Sequence, residues 1–221
     1  MNPKKISALL LGAIMILTLN CKKTGGDEQT AVQQLASKMR AVISMVLGKT
    51  VISKGSATQE VKRGTDITEA DYIQTFAGSR CVVLFSTGST LSLQENTKVK
   101  ISVFLPKGVR SEIANGSILM NVKRLTSDEE FSVGTPTAVA GVRGTKFYVR
   151  YDSATRNTRV AVKSGKVQVS PVINVNTNET VKKKLAEQIS VNIEANESVN
   201  VNQNHVNQIN NNLNRNIPGI E

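Results

Sequence analysis

Arg143 is the side chain whose setting first suggests chemistry. It stands in a run from Thr135 and Pro136 through Gly141, Val142, Gly144 and Thr145 to Phe147. Its planar, donor-rich guanidinium is set among apolar and small residues. Such a group either ties a turn together by donating to backbone carbonyls, or anchors a carboxylate or phosphate. The residues alone leave both readings open. Pro136 lacks an N–H and suits a strand edge. Gly141 and Gly144 bracket Val142 and Arg143, as a turn or bulge with unusual φ or close backbone approach would require.

The other reactive side chains are few. Cys81 lies between Arg80 and Val82 in an apolar strand-like run and reads as a small buried hydrophobe. His205 is the single histidine and sits in an Asn-rich tail. With it and two cysteines, a Cys/His zinc cluster is excluded. The acidic run Asp128-Glu129-Glu130 reads as a polar loop, because a hard-cation site needs several converging oxygens. No phosphate-binding Gly loop, nucleophile elbow or His-Glu-x-x-His helix is present. No acid/base pair or nucleophile–base set can be assembled, so enzyme chemistry is not expected, and neither is a cofactor or metal.

The 221 residues carry a net charge of +11. That balance favours anionic partners in general. Nucleic acid is not expected: the longest basic run is Lys182-Lys183-Lys184, and aromatics, at 4%, are too few for base stacking. Two of the positive charges, Lys4 and Lys5, open a segment read as removable. They precede an apolar stretch from Ile6 to Leu19, too short for a comfortable membrane span and right for a secretory signal peptide. It ends in Leu17-Thr18-Leu19-Asn20-Cys21, which resembles the lipobox of a bacterial lipoprotein in the relaxed form used by spirochaetes. Strict versions place Gly, Ala or Ser where Asn20 stands. The resemblance implies that Cys21 is the lipidated first residue, able to carry palmitate, and leaves Cys81 without a disulfide partner. The alternative is an uncleaved N-terminal anchor helix. Either one places the rest of the chain outside the cytoplasm, and two or more acyl chains give stable attachment.

Several elements would position these groups. Residues 21–40 read as lipidated cysteine, tether and a short amphipathic helix, with Val32, Leu35 and Met39 at helical spacing. From Ala41, short β-like runs recur roughly every eight to twelve residues between Gly, Asn and Ser turns, the rhythm of an all-β fold. Asn115-Gly116 is a strong local hairpin signal between Val109–Ala114 and Ser117–Val122. Ser164-Gly165 marks another hairpin. An insertion near 174–188 has Asn178 placed to cap a short helix. The Asn-rich tail, 202–221, keeps helical spacing at Val206, Ile209 and Leu213, but Asn is a poor helix former. The expected fold is mainly β: a single antiparallel-rich roll or sandwich with a short N-terminal helix and a polar C-terminal tail.

Taken in order, Gly64–Ile67, Val83–Leu93, Ile113–Ile118, Phe131–Phe147, Val162–Val167 and Ile193–Val199 resemble the extracytoplasmic FecR domain. The Thr-Pro to Val-Arg-Gly-Thr-x-Phe segment is the specific part, and the similarity spans about 41–201. Thr65, Thr87 and Asn196 depart from the family pattern, all in loops. The resemblance implies a β-rich module outside the cytoplasm, and it implies that Thr135, Pro136, Gly141, Val142, Arg143, Gly144, Thr145 and Phe147 are structural. In family members this domain follows a cytoplasmic anti-sigma segment and relays the state of an outer-membrane receptor to a sigma factor. Here a signal-like segment stands at the N-terminus instead. The expectation is therefore a lipid-anchored, non-enzymatic lipoprotein of the outer membrane that binds another envelope protein as relay or scaffold. The alternative is an adhesin holding anionic glycan or host matrix on a basic surface.

Overall fold

In the computed structural model, which describes residues 40–69, 71–105, 108–123 and 130–216, apolar and polar residues alternate along a succession of short strands. The signal-like segment, Cys21, the tether, the expected N-terminal helix and residues 217–221 lie outside the described residues. The chain opens with β1 (Ala41–Leu47), β2 (Thr50–Lys54), β3 (Ala57–Glu60), β4 (Asp66–Ile67) and β5 (Tyr72–Thr75). It continues with β6 (Arg80–Phe85), β7 (Thr90–Leu93), β8 (Lys98–Leu105), β9 (Gly108–Asn121) and β10 (Glu130–Gly134). Then come β11 (Ala138–Val142), β12 (Lys146–Asp152), β13 (Asn157–Ser164) and β14 (Val167–Pro171). The last elements are α1 (Glu179–Gln188), β15 (Val191–Ile193), β16 (Ser198–Asn202) and α2 (Gln203–Asn216).

These strands form two sheets that share β9. The first runs β4-β1-β6-β7-β9-β12-β13-β16 and is antiparallel throughout. The second runs β3-β2-β5-β8-β9-β10-β11-β14-β15 and has one parallel pair, β9 with β10. The fold is mainly β and mixed in strand direction, and it is not a closed barrel. Inward-facing residues of both sheets make one core. Phe85 of the first sheet meets Phe131 of the second edge-on, with centroids 5.5 Å apart, a geometry favoured by the ring quadrupoles.

Asn115-Gly116 is not a hairpin turn. It lies inside β9, whose first half pairs with β8 in the second sheet and whose second half pairs with β12 in the first. Gly116 has φ +96°, and a Cβ there would lie 2.5 Å from the Thr97 Cα. Asn-Gly supplies the positive φ that a two-residue hairpin needs; the same freedom lets one strand kink from one sheet into the other. Ser164-Gly165 is likewise a crossing, since β13 pairs in the first sheet and β14 in the second.

Asn178 caps α1, accepting from the Val181 N–H at 2.9 Å. The Asn-rich tail forms α2. Val206 is fully buried, and Asn210 accepts from the Asn174 N–H at 2.8 Å and donates to the Val172 carbonyl at 3.1 Å. Burying one valine stabilises by about 1.5–3 kcal/mol, enough to offset several weak helix formers. Among the described residues no helix is long and apolar enough to cross a membrane.

Candidate interaction surface

The Val142-Arg143-Gly144-Thr145 corner carries the chain from β11 in the second sheet to β12 in the first. Gly144 has φ +64°, which the corner requires. Gly141 has no such need: it sits in regular strand, opposite Ser132 and Gln168, and a Cβ there would meet nothing within 4 Å. Arg143 is exposed and makes no hydrogen bond or ion pair among the described residues. The tie from its guanidinium to turn carbonyls, one of the two readings left open, is not made among the described residues. Thr145 holds the corner instead. It is buried, donates to the Lys166 carbonyl at 2.9 Å, and its own carbonyl accepts from the Val122 N–H at 2.9 Å. Gly165 packs on it so closely that a Cβ would lie 2.8 Å from Thr145 Oγ1. Phe147 is fully buried and Val142 nearly so.

The Thr135-Pro136-Thr137 turn is fastened by the hydroxyl of Thr135, which the sequence singled out, and by those of Thr137 and Thr158, which it did not. Thr135 Oγ1 accepts from the Ala138 N–H at 2.9 Å. It also lies 2.7 Å from Thr158 Oγ1, and Thr137 Oγ1 lies 2.6 Å from the same atom. Thr137 donates onward to the Val201 carbonyl at 3.1 Å. These buried threonines join the β10–β11 turn to β13 and β16 of the other sheet. Thr75 and Thr97 repeat the device at another crossing, with Thr97 Oγ1 accepting from the Ser117 N–H at 2.9 Å. The only sequence signal is a Thr beside a turn, where a hydroxyl satisfies backbone groups that the ladders leave open.

A polar groove of about 680 Å³ opens where β9 kinks. Arg80, Gln94, Glu95, Ser117, Arg150 and Asp152 are among the residues that line it. Arg80 donates to Gln94 Oε1 at 2.9 Å, and Glu95 accepts from the Gly78 N–H at 2.8 Å. Asp152 accepts from the Thr155 and Ala154 N–H groups, which, helped by Arg150, hold its carboxyl below the usual range. Each acid is thus engaged by backbone donors, and the groove, with two arginines and two carboxylates, offers hydrogen bonding rather than proton transfer.

Cys81 is fully buried, and burial pushes its thiol up to about 12. His205 is exposed on α2, its backbone N–H donating to Asn202 Oδ1. Asp128 and Glu129 lie outside the described residues. Among the described residues no group of three or more His, Cys, Asp or Glu converges as a metal site.

Residues 71–168 match the family described as FecR protein. The chain carries a FecR domain. The matched segment runs from just before β5 into β14, so the Val-Arg-Gly-Thr corner lies within the FecR domain. Strands outside it complete both sheets: β1 pairs with β6 and β16 with β13 in the first, and β2 pairs with β5 and β15 with β14 in the second. No curated protein matches the chain. Two crystal structures of a candidate anti-sigma factor from Parabacteroides distasonis are similar, each at 22% identity and a TM-score of 0.47. Each alignment covers 59% of this chain and 54% of that one, so the chain spans about half the length of that protein.

Proposed function

We infer that this chain is a non-enzymatic lipoprotein of the cell envelope whose FecR domain binds another protein, as a relay or scaffold outside the cytoplasm. The FecR match over residues 71–168 carries this reading, because the family resemblance implies a module that passes signals between envelope proteins. Cys21, following Leu17-Thr18-Leu19-Asn20, supplies the lipid attachment point, and several acyl chains would hold the domain at the outer membrane.

Two measurements test it. Labelled palmitate should enter the wild-type chain and not Cys21→Ala; continued labelling of the variant would remove the anchor from the reading. Photo-crosslinkers placed at Leu119 and Val139, on opposite outer faces, should give a discrete adduct with one envelope protein. The exposed arginines around the polar groove favour a second reading, capture of anionic glycan. Retention on purified envelope polysaccharide, with no protein adduct from either position, would establish that reading in place of the first.

A further inference from the structure

Strand register on the outer face of the first sheet assembles a pattern that no local stretch of sequence contains. Leu119 of β9 lies beside Tyr148 of β12 on one side and Ser92 of β7 on the other. Ser92 lies beside Val82, and Val82 beside Met45. A row that is apolar except at Ser92 therefore crosses the sheet, with Met45 42% and Leu119 46% exposed. One residue pair along the strands, Arg80 pairs with Leu47, and Arg150 faces both Ser117 and Arg159. The opposite border holds Lys163 and Lys146 at its β13–β12 end and continues through Asn121 and Thr90 to Leu84 across β9, β7 and β6. All five cations are exposed, and none forms an ion pair among the described residues. Asp152 and Glu95 stand beyond the arginine row, and Glu197 stands at the sheet edge, its backbone paired with Val162 beside Lys163; all three carboxylates are engaged by backbone N–H groups.

We propose that this face is the docking site for an amphipathic helix with an apolar centre line and acidic flanks. The proposal rests on the protein-binding reading and names the chemistry of the partner. Charge complementarity demands acid on both sides of an apolar ridge. The dimensions fit a helix. Borders two residues either side of the centre line lie about 14 Å apart at ~3.4 Å per residue, just wider than a helix of about 10–12 Å. From β1 to β13 the row crosses five strand spacings, about 24 Å at ~4.8 Å each, which a helix spans in about 16 residues. A second copy of this chain is disfavoured, since it would set cations against cations. An anionic bilayer would meet the long basic tips first and leave Met45 and Leu119 uncovered. A glycan has no use for the apolar row.

The probe is a stapled synthetic helix of about 16 residues with leucines at i, i+3, i+4, i+7 and glutamates along both flanks, titrated against the full chain by fluorescence anisotropy. Binding should saturate. It should weaken at least about tenfold in Arg150→Gln/Arg159→Gln and in Leu119→Asp, with unchanged melting temperatures, and stay intact in Val139→Asp on the other sheet. No saturable binding, or equal binding of a scrambled peptide, of hyaluronate or of phosphatidylglycerol vesicles, overturns the proposal. The crosslinking result separates this from the broader reading: an adduct from Val139 but not from Leu119 preserves protein binding and removes the helix from this face.

Discussion

Replacing Gly116 by alanine should cost far more stability than a glycine substitution normally does. The residue sits mid-strand at φ +96°. A Cβ would lie 2.5 Å from Thr97 Cα and 2.7 Å from the Asn96 carbonyl, and these are backbone atoms that cannot swing away. The positive φ alone costs roughly 1–2 kcal/mol for a residue with a Cβ. Forcing the Thr97 segment aside adds about 1–3 kcal/mol of overpacking. Thr97 Oγ1 also accepts from the Ser117 N–H at 2.9 Å, and losing that bond adds about 1 kcal/mol. The sum is about 3–6 kcal/mol. Gly55→Ala is the matched control: its φ is +58°, yet a Cβ there meets nothing within 4 Å, so only the roughly 1–2 kcal/mol conformational cost remains. Urea denaturation of both variants would give the difference directly. For a chain of this size each kcal/mol moves the melting temperature by about 2–4 °C, so Gly116→Ala should melt at least about 4 °C below Gly55→Ala. Equal losses in the two variants would refute the argument that β9 is held in its kink by backbone packing.

Arg143→Ala should change stability by less than about 0.5 kcal/mol, because the guanidinium is exposed and bonds to no described residue; a large drop in denaturation midpoint would show a missing contact. Thr137→Val should cost about 1–3 kcal/mol, since it strands the Val201 carbonyl and breaks the contact with Thr158; chemical denaturation measures it. In a Cys21→Ala background, Cys81 should resist a thiol reagent at pH 8 and react only on unfolding, as its thiol is buried and pushed up to about 12. Asp152 has a folded pKa below its ordinary value, so it contributes stability above the unfolded pKa and loses it as pH falls through the folded one. Asp152→Asn should therefore flatten the acid limb of the stability–pH curve, and an unaltered limb would contradict that assignment.

Strand positions were legible because the core is built from valines and isoleucines that alternate with polar residues, a period-two signal needing no tertiary information. The sheet to which each strand belongs was not. Gly116 shows why: a positive φ flanked by β residues satisfies a hairpin and a mid-strand kink equally, and only the partners on either side decide between them. Ser164-Gly165 hides a crossing for the same reason. The α2 helix was half legible, since Val206 marked the buried face while the buried hydrogen bonds of Asn210 depend on residues more than thirty positions away.

The same limit governs the surface. The Val-Arg-Gly-Thr segment was conspicuous because its turn, its buried Thr145 and its buried Phe147 are contiguous in sequence, even though the bonds that fasten Thr145 come from Lys166 and Val122. Such a segment serves the corner of the fold, so it identifies the domain and says little about its partner. Arg80, Arg150 and Arg159 were inconspicuous because each is a single outward residue on its own strand. They share one border only through four successive strand pairings, β6–β7, β7–β9, β9–β12 and β12–β13. A one-residue slip in any of these would turn part of that border into the core. The kink at Gly116 fixes where β9 enters the first sheet and hence its register against β7 and β12. A variant that moves this kink should therefore lose helix binding even where residual stability keeps it folded, which links the structural role of Gly116 to the proposed recognition face.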